Sequence, residues 1–226
     1  MSEKFLAAIT PSREEHLWGL CEKYIRAEMP DMDLRIVPFC EERKGTKLLA
    51  EIMEEGSMTP EYTRRVFDIY EAAAKAQPDA ILVECTTIGD VSRTAGALYE
   101  LMDIPVIALD KPAADYVVSQ GTKIGLIINL HTTIETSKQM LERCAAEQGK
   151  DIEIVLGYKK AFGLSQEQIR DSMIETVKEL ESQVDVFFLA QPSMSEWEAE
   201  VQAAVSVPVI SVLPQAAKAV REVLTK

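Results

Sequence analysis

Basic residues are scarce in this chain of 226 residues, which has 24 Lys and Arg against 37 Asp and Glu and a formal net charge of −13. Nucleic acids and anionic membrane surfaces are bound by clustered basic side chains. We therefore expect neither as a partner. No apolar run approaches the roughly 20 residues that a membrane helix needs, and Met1–Ile9 lacks the long apolar core of a signal peptide. These absences predict a cytoplasmic protein.

Cysteines are few and widely spaced. The sequence has four of them, with no CxxC or Cys/His pair: Cys21, Cys40, Cys85 and Cys144. This spacing indicates neither a disulfide framework nor a zinc site. Cys21, Cys40 and Cys144 are interpreted as small buried hydrophobic residues. Cys85 is different, because its loop is of the kind that forms binding sites.

Short runs rich in Val, Ile and Leu alternate with longer stretches of helical periodicity, and no linker or low-complexity tract separates them. The predicted strands are Phe5–Thr10, Leu34–Phe39, Ala80–Glu84, Val106–Leu109, Lys123–Ile128, Ile152–Leu156, Val186–Ala190 and Val209–Val212. The predicted helices are Ser12–Glu28, Glu61–Ala76, Val91–Met102, Ala113–Gln120, Thr133–Gln148, Ser165–Ser182, Met194–Val205 and Pro214–Leu224. Such alternation is typical of mostly parallel sheets flanked by helices, so the predicted fold class is α/β.

An internal repeat relates two strand–loop–helix units. The first runs from Asp79 through an apolar strand to Cys85, and the second runs from Asp185 through an apolar strand to Gln191. In both units a helix follows, and then a short Pro-containing strand. Cys85 and Gln191 are therefore equivalent positions.

A second pair of similar segments extends the repeat. Phe5-Leu-Ala-Ala-Ile-Thr-Pro-Ser resembles Ile124-Gly-Leu-Ile-Ile-Asn-Leu-His, which makes Thr10 equivalent to Asn129. The repeat predicts two pseudo-twofold-related lobes, residues 1–112 with 210–226 and residues 113–209. In open α/β sheets, ligands bind at the carboxyl ends of the strands. If the halves face one another, the four loops should line a single cleft.

The loop after Cys85 has the chemistry of an anion site. Thr86 and Thr87 follow the cysteine and supply hydroxyl donors, and a helix is predicted to begin near Asp90. The N–H groups and the dipole at a helix N-terminus favour an anion, so they can lower a thiol pKa or hold a carboxylate. The loop therefore favours a reactive thiol beside a bound carboxylate.

Four segments in order carry a resemblance to a known family: Glu84-Cys-Thr-Thr-Ile-Gly-Asp-Val91, Ile104-Pro-Val-Ile-Ala-Leu-Asp-Lys-Pro-Ala-Ala114, Lys123-Ile-Gly-Leu-Ile-Ile-Asn-Leu-His-Thr-Thr133 and Leu189-Ala-Gln-Pro-Ser-Met-Ser195. They resemble the aspartate/glutamate racemase superfamily, which includes hydantoin racemases, maleate isomerases and arylmalonate decarboxylases. The resemblance covers nearly the whole chain. It implies catalysis without pyridoxal phosphate or metal, so no cofactor is expected. Racemases of this family place one cysteine on each side of the substrate α-carbon.

The sequence departs from this pattern at the second cysteine. The first catalytic cysteine corresponds to Cys85, but the second corresponds to Gln191, whose amide neither donates nor accepts a proton near neutral pH. His131 could supply the missing group, since imidazole titrates near neutral pH, or it could be a solvent-exposed residue at a helix start. The resemblance implies a substrate-binding set made of Thr10, Thr86, Thr87, Asn129, Gln191, Ser193 and Met194.

Three acidic residues near these loops have structural interpretations. Glu84 precedes Cys85, but neighbouring strand residues point to opposite faces, so Glu84 should point away from the ligand. Asp90 and Asp110 are interpreted as helix caps. Thr10 could contact a ligand or form only the exit loop of its strand.

Two classes of function fit this pattern. The first is a PLP-independent isomerase, most simply a racemase, that acts on a small carboxylate such as an amino acid, a hydantoin or a dicarboxylate through Cys85. A decarboxylase-like enzyme with one cysteine is a variant of it. The second is a protein that binds carboxylates without chemistry. A homodimer is also expected, because members of the family commonly dimerise.

Overall fold

A computed structural model describes residues 3–11, 15–41, 47–160 and 164–226 of the chain, without the side chains of residues 15 and 16. The strands are β1 (Lys4–Ile9), β2 (Leu34–Phe39), β3 (Ala80–Val83), β4 (Val106–Ala108), β5 (Lys123–Ile128), β6 (Glu153–Tyr158), β7 (Val186–Leu189) and β8 (Val209–Ser211). The helices are α1 (Glu15–Glu28), α2 (Leu48–Glu55), α3 (Pro60–Lys75), α4 (Gly89–Glu100), α5 (Lys111–Gln120), α6 (Ile134–Glu147), α7 (Gln166–Leu180), α8 (Glu198–Gln202) and α9 (Val212–Leu224).

The strands form two four-stranded sheets with the same topology. The first has the order β2-β1-β3-β4 and the second has the order β6-β5-β7-β8. Every strand pair is parallel. Parallel strands require crossover connections, and helices supply them in both sheets. The predicted α/β fold class is confirmed.

The chain divides into two compact units, each containing one sheet. Unit 1 consists of Met1–Leu109 and Ala216–Lys226, and unit 2 consists of Asp110–Gln215. The predicted lobes have their boundaries at 112/113 and 209/210, whereas the units have theirs at 109/110 and 215/216.

All eight predicted strands are present, and seven of the eight predicted helices match observed α-helices with small shifts at their ends. The first predicted helix starts at Ser12, in a segment outside the described residues. The segment predicted as the helix Met194–Val205 is instead a 3-10 helix, Pro192–Trp197, followed by the short α8. Helix α2 was not predicted, because its eight residues show little more than two turns of periodicity after a run of charged residues.

The repeated aspartates have a structural role at the start of the central strands. The Asp79 carboxylate accepts a hydrogen bond from the Phe5 N–H (2.7 Å), and the Asp185 carboxylate accepts from the N–H groups of Thr122 (2.9 Å) and Lys123 (2.8 Å). These bonds, that of Lys123 foremost, lower the pKa of Asp185. Asp79 thus fixes the amino end of β1, and Asp185 fixes the amino end of β5.

Among the residues that the structure describes, no helix is both long enough and apolar enough to cross a membrane.

Candidate active site

The carboxyl ends of three strands in unit 1 lie side by side. The N–H of Glu84, just after β3, donates to the carbonyl of Ile9 at the end of β1 (2.9 Å), and Leu109, just after β4, donates to Val83 (3.1 Å). Thr10 follows β1, and its N–H donates to the carbonyl of Phe39 on β2 (3.0 Å). The residues after these strands therefore share one edge of the sheet.

Cys85 occupies the first position after β3 at this edge. Its backbone is extended (φ −145°, ψ 117°), and it stands at the N-cap of a 3-10 helix, Thr86–Ile88. Its carbonyl accepts a hydrogen bond from Ile88 (3.4 Å). The side chain is half-buried and packs against the core formed with α2, α3 and α4. This placement fixes the thiol in position without burying it completely.

The two threonines after Cys85 begin a continuous helical segment. The 3-10 helix that starts at Thr86 leads directly into α4 at Gly89. Thr86 is 3% exposed and Thr87 is 6% exposed. The N–H groups of a first helical turn have no acceptor within the helix and favour anions. This segment can therefore hold a carboxylate next to the thiol.

Glu84 points away from Cys85, as the sequence predicted. Its carboxyl forms a hydrogen bond with the buried thiol of Cys21 on α1, whereas Cys85 packs on the opposite face of the sheet. Burial raises the pKa of Glu84 to about 8, the Cys21 hydrogen bond lowers it, and Glu22 raises it. The sequence prediction did not include the contact with Cys21.

Gln191 in unit 2 has the same backbone geometry as Cys85 in unit 1. It is extended (φ −123°, ψ 142°) and stands at the N-cap of the 3-10 helix Pro192–Trp197. Its carbonyl accepts from the N–H of Met194 (3.0 Å), as that of Cys85 accepts from Ile88. Even the preceding residue matches, since Ala190 donates to the end of β5 (3.3 Å) as Glu84 donates to the end of β1. The equivalence of Cys85 and Gln191 inferred from the repeat therefore holds in the backbone. The predicted equivalence of Thr10 and Asn129 is wrong by one residue, because Ile9 pairs with Val83 as Ile127 pairs with Leu189, and Thr10 therefore corresponds to Ile128.

The side chain of Gln191 joins the ends of two neighbouring strands. Its Oε1 accepts a hydrogen bond from the N–H of Asn129 (2.7 Å). Gln191 is 3% exposed and Asn129 is 9% exposed. The structure thus brings together two of the predicted substrate-binding residues. The amide NH₂ of Gln191 can donate to a ligand, and its oxygen has a second lone pair.

The remaining predicted residues of unit 2 lie on two short 3-10 helices. Ser193 is half-buried, whereas Met194 is buried and packs in the core under α7. His131 is exposed at the start of the 3-10 helix His131–Thr133, two residues after Asn129.

The interpretation of Asp90 as a helix cap is wrong, whereas Asp110 occupies the N-cap position predicted for it. The N-cap of α4 is Ile88, and Asp90 lies inside the first turn because the helix starts earlier than predicted. Asp110 stands at the N-cap of α5, but it has helical dihedral angles and makes no capping hydrogen bond through its side chain. It is buried at 3% exposure.

A depression of about 250 Å³, open to solvent, lies beside Asn129 in unit 2. It is lined by Ile127, Ile128, Asn129, Gly157, Lys159, Leu164, Ile169, Ser172, Met173, Thr176 and Met194. The ammonium of Lys159 is paired with Glu175 (2.5 Å). The lining therefore suits an uncharged group of a few atoms better than a second carboxylate.

A buried ion pair secures the segment after β2 in unit 1. The Arg65 guanidinium on α3 makes two hydrogen bonds to the Glu41 carboxylate, from Nε (2.7 Å) and Nη2 (2.6 Å), and a third to Glu51 on α2 (2.5 Å). The Arg65 and Glu41 side chains are 4% and 8% exposed. The Glu41 and Glu51 hydrogen bonds raise the pKa of Arg65 further above its already high value. The sequence prediction did not include this pair.

Over the described parts of the chain, no group of three or more His, Cys, Asp or Glu side chains is placed to hold a metal ion.

The sequence profile of a family described as Asp/Glu/Hydantoin racemase matches residues 27–223. The chain belongs to the Asp/Glu/hydantoin racemase family. The resemblance inferred from the four motifs is thereby confirmed. The match includes both equivalent loops, those of Cys85 and Gln191.

Solved structures of racemases share the fold at low sequence identity. Glutamate racemase isoform RacE1 from Bacillus anthracis superposes with a TM-score of 0.72 at 17% identity, covering 98% of this chain and 82% of that one. Allantoin racemase from Klebsiella pneumoniae has a TM-score of 0.66 at 16% identity, with coverage of 98% and 88%. Aspartate racemase from Picrophilus torridus has a TM-score of 0.64 at 12% identity, with coverage of 99% and 95%. No curated protein sequence is significantly similar to this chain.

Proposed function

We propose that this member of the family is a PLP-independent isomerase that acts on a small carboxylate, with Cys85 as its proton-transfer residue. The observation that carries the proposal is the placement of a half-buried thiol at the end of β3, directly before a helical N-terminus. Thr86 and Thr87 hold the substrate carboxylate in this proposal, and Thr10 contacts the substrate from the neighbouring strand end.

The chemistry requires a thiolate at Cys85. The thiolate removes the proton from the carbon next to the carboxylate, and the electron pair of the broken C–H bond passes into the carboxyl group as an enediolate. The protonated thiol then returns a proton to the same carbon. Return to the original face regenerates the substrate with an exchanged proton, so net isomerisation requires the planar enediolate to turn its other face to the thiol before it is reprotonated, and it is slower than exchange. The N–H groups at the helix N-terminus stabilise the added negative charge of the enediolate, a major source of catalysis at such sites.

The sequence lacks the second cysteine of a two-thiol racemase, because Gln191 stands at the equivalent position. Gln191 and Asn129 act as binding groups in unit 2, and the depression beside Asn129 takes an uncharged ligand group. Because the Gln191 amide does not exchange protons near neutral pH, proton transfer is confined to Cys85. A decarboxylase-like reaction, in which one thiol protonates an enediolate, fits the same arrangement.

Alkylation of Cys85 distinguishes the proposed enzyme from the alternative, a protein that binds carboxylates without chemistry. We expect iodoacetamide to modify Cys85 rapidly and with a rate that rises with pH, because the thiolate is the reacting species. Small carboxylates, including monocarboxylates, and hydantoins should slow this modification and leave that of Cys40 unchanged. Tight ligand binding together with an unreactive Cys85 would contradict the enzymatic proposal and support a binding protein.

We also propose that the protein forms a homodimer through an apolar surface at the C-terminal end of α4 and on the turn that follows it. Leu98, Leu101 and Met102 are 48%, 85% and 58% exposed there. Arg93 flanks this apolar face at one end and Asp103 flanks it at the other, so antiparallel pairing of two copies would bring opposite charges together. Sedimentation at micromolar concentration should show a dimer that Leu101→Lys dissociates, and a wild-type monomer would contradict the proposal.

A further inference from the structure

Glu84 is a buried carboxylic acid with few partners. It is 7% exposed, and its carboxyl forms a hydrogen bond with the Cys21 thiol. Its Oε1 atom is buried and has no hydrogen-bond partner among the described residues. An ionised carboxylate in such a place is strongly disfavoured. Burial accordingly raises the pKa of Glu84 to about 8, so the neutral acid predominates at neutral pH.

The groups around Glu84 in the described part of the chain do not include a cation that would offset its charge. Cys21 and Glu22 on α1 act most directly on its ionisation. The Cys21 thiol favours the carboxylate by a hydrogen bond, and Glu22 disfavours it by like charge. Two neighbouring residues of α1 therefore have opposite effects on the ionisation of Glu84.

Cys85 lies within reach of this charge. It is the next residue on an extended chain, with its side chain on the opposite face of the sheet. The like charge of Cys85 also raises the pKa of Cys21, the hydrogen-bond partner of Glu84. Two like charges in a partly buried site raise each other's energy. A carboxylate at Glu84 and a thiolate at Cys85 therefore oppose each other.

We propose that Glu84 is a positioning residue that acts on Cys85 through its own protonation state: the neutral acid permits the Cys85 thiolate, and the carboxylate opposes it. The proton released by Glu84 passes to solvent, and Glu84 makes no bond to the substrate. The functional meaning of this inference rests on the proposed role of Cys85. Above neutral pH, the alkylation rate of Cys85 should therefore rise less steeply than it would if the Cys85 thiol were the only group that ionises.

The pH dependence of Cys85 alkylation in the full-length protein tests this inference. The rate of iodoacetamide modification, followed by mass spectrometry of the Cys85 peptide, should be equal in wild type and Glu84→Gln at about pH 6, where Glu84 is neutral in both. At about pH 9 the variant should react up to roughly tenfold faster, because only the wild type then carries the opposing charge. A purely structural role would change the rate by a similar factor at every pH, and that result would overturn the inference.

Two further variants test the same coupling without removing the acid. Cys21→Ala removes the donor that favours the carboxylate. The pH at which the alkylation rate of Cys85 begins to level off should therefore be higher in this variant than in wild type. Glu22→Gln removes the like charge, so that pH should fall. Shifts in the same direction, or no shifts, would overturn the inference even if Glu84→Gln failed to fold. Alkylation does not require turnover, so these results are independent of whether the protein proves to be an isomerase.

Discussion

Replacing Cys85 with serine should reduce deuterium exchange at the substrate carbon by at least about 10²–10⁴-fold, the usual loss for a positioned acid or base. A serine hydroxyl keeps the size and the hydrogen-bonding capacity of the thiol, so the loop should fold normally. It is a far weaker base than a thiolate near neutral pH, because its proton is not released in that range. The measurement is deuterium incorporation from heavy water into a panel of small amino acids, hydantoins and dicarboxylates, for the substrates that wild type exchanges.

Cys40→Ser is the matched control for this variant. Cys40 is also partly exposed and follows β2 in the same unit, but it has no place in the proposed chemistry. It should keep the wild-type rate. Equal activity in wild type and Cys85→Ser would remove the thiol from the mechanism.

Replacing Arg65 with methionine should lower the free energy of unfolding by about 3–5 kcal/mol, the usual effect of leaving one charge of a buried pair without its partner. Methionine keeps much of the volume of the arginine stem but removes all three hydrogen bonds to Glu41 and Glu51. The Glu41 carboxylate would then be buried without its guanidinium partner. Urea denaturation monitored by circular dichroism measures the loss.

Two variants separate this effect from general damage to α3. Arg64→Met removes an exposed arginine next in sequence, and it should change stability by no more than about 0.5 kcal/mol. The double variant Arg65→Met with Glu41→Leu removes both charges and should recover much of the loss, because a buried ion pair replaced by apolar residues is often neutral for stability. Equal stability of Arg65→Met and wild type would show that the ion pair contributes nothing.

The sheet and the equivalence of Cys85 and Gln191 could be predicted from the sequence because both depend on local patterns. Strands buried on both faces are short apolar runs, and these runs are visible without the fold. The repeat then aligned the two loops, and matching dihedral angles confirm the alignment. Helix α2 lacked such a signal, since eight residues are too few to establish a helical period.

The side-chain contacts could not be predicted in the same way. The bond from Asn129 to Gln191 depends on how far an amide reaches between strands that are neighbours only in space. The contact of Glu84 with Cys21 requires the position of α1 on one face of the sheet. Asp90 was misassigned because the 3-10 helix after Cys85 shifts the start of α4 by a few residues. Such register details depend on tertiary packing, which sequence periodicity does not contain.

The most direct test of the central claim is deuterium incorporation at the α-carbon of both enantiomers of each candidate substrate by the wild-type protein. A protein with Cys85 and without a second catalytic cysteine should exchange one enantiomer and leave its mirror image nearly unchanged, and racemisation of aspartate or glutamate should be very slow or absent. Gln191→Cys should speed up exchange of the second enantiomer if the introduced thiol faces the substrate carbon. Brisk exchange of both enantiomers by wild type would contradict the claim, and it would identify another residue, with His131 the first to test, as the second proton-transfer group.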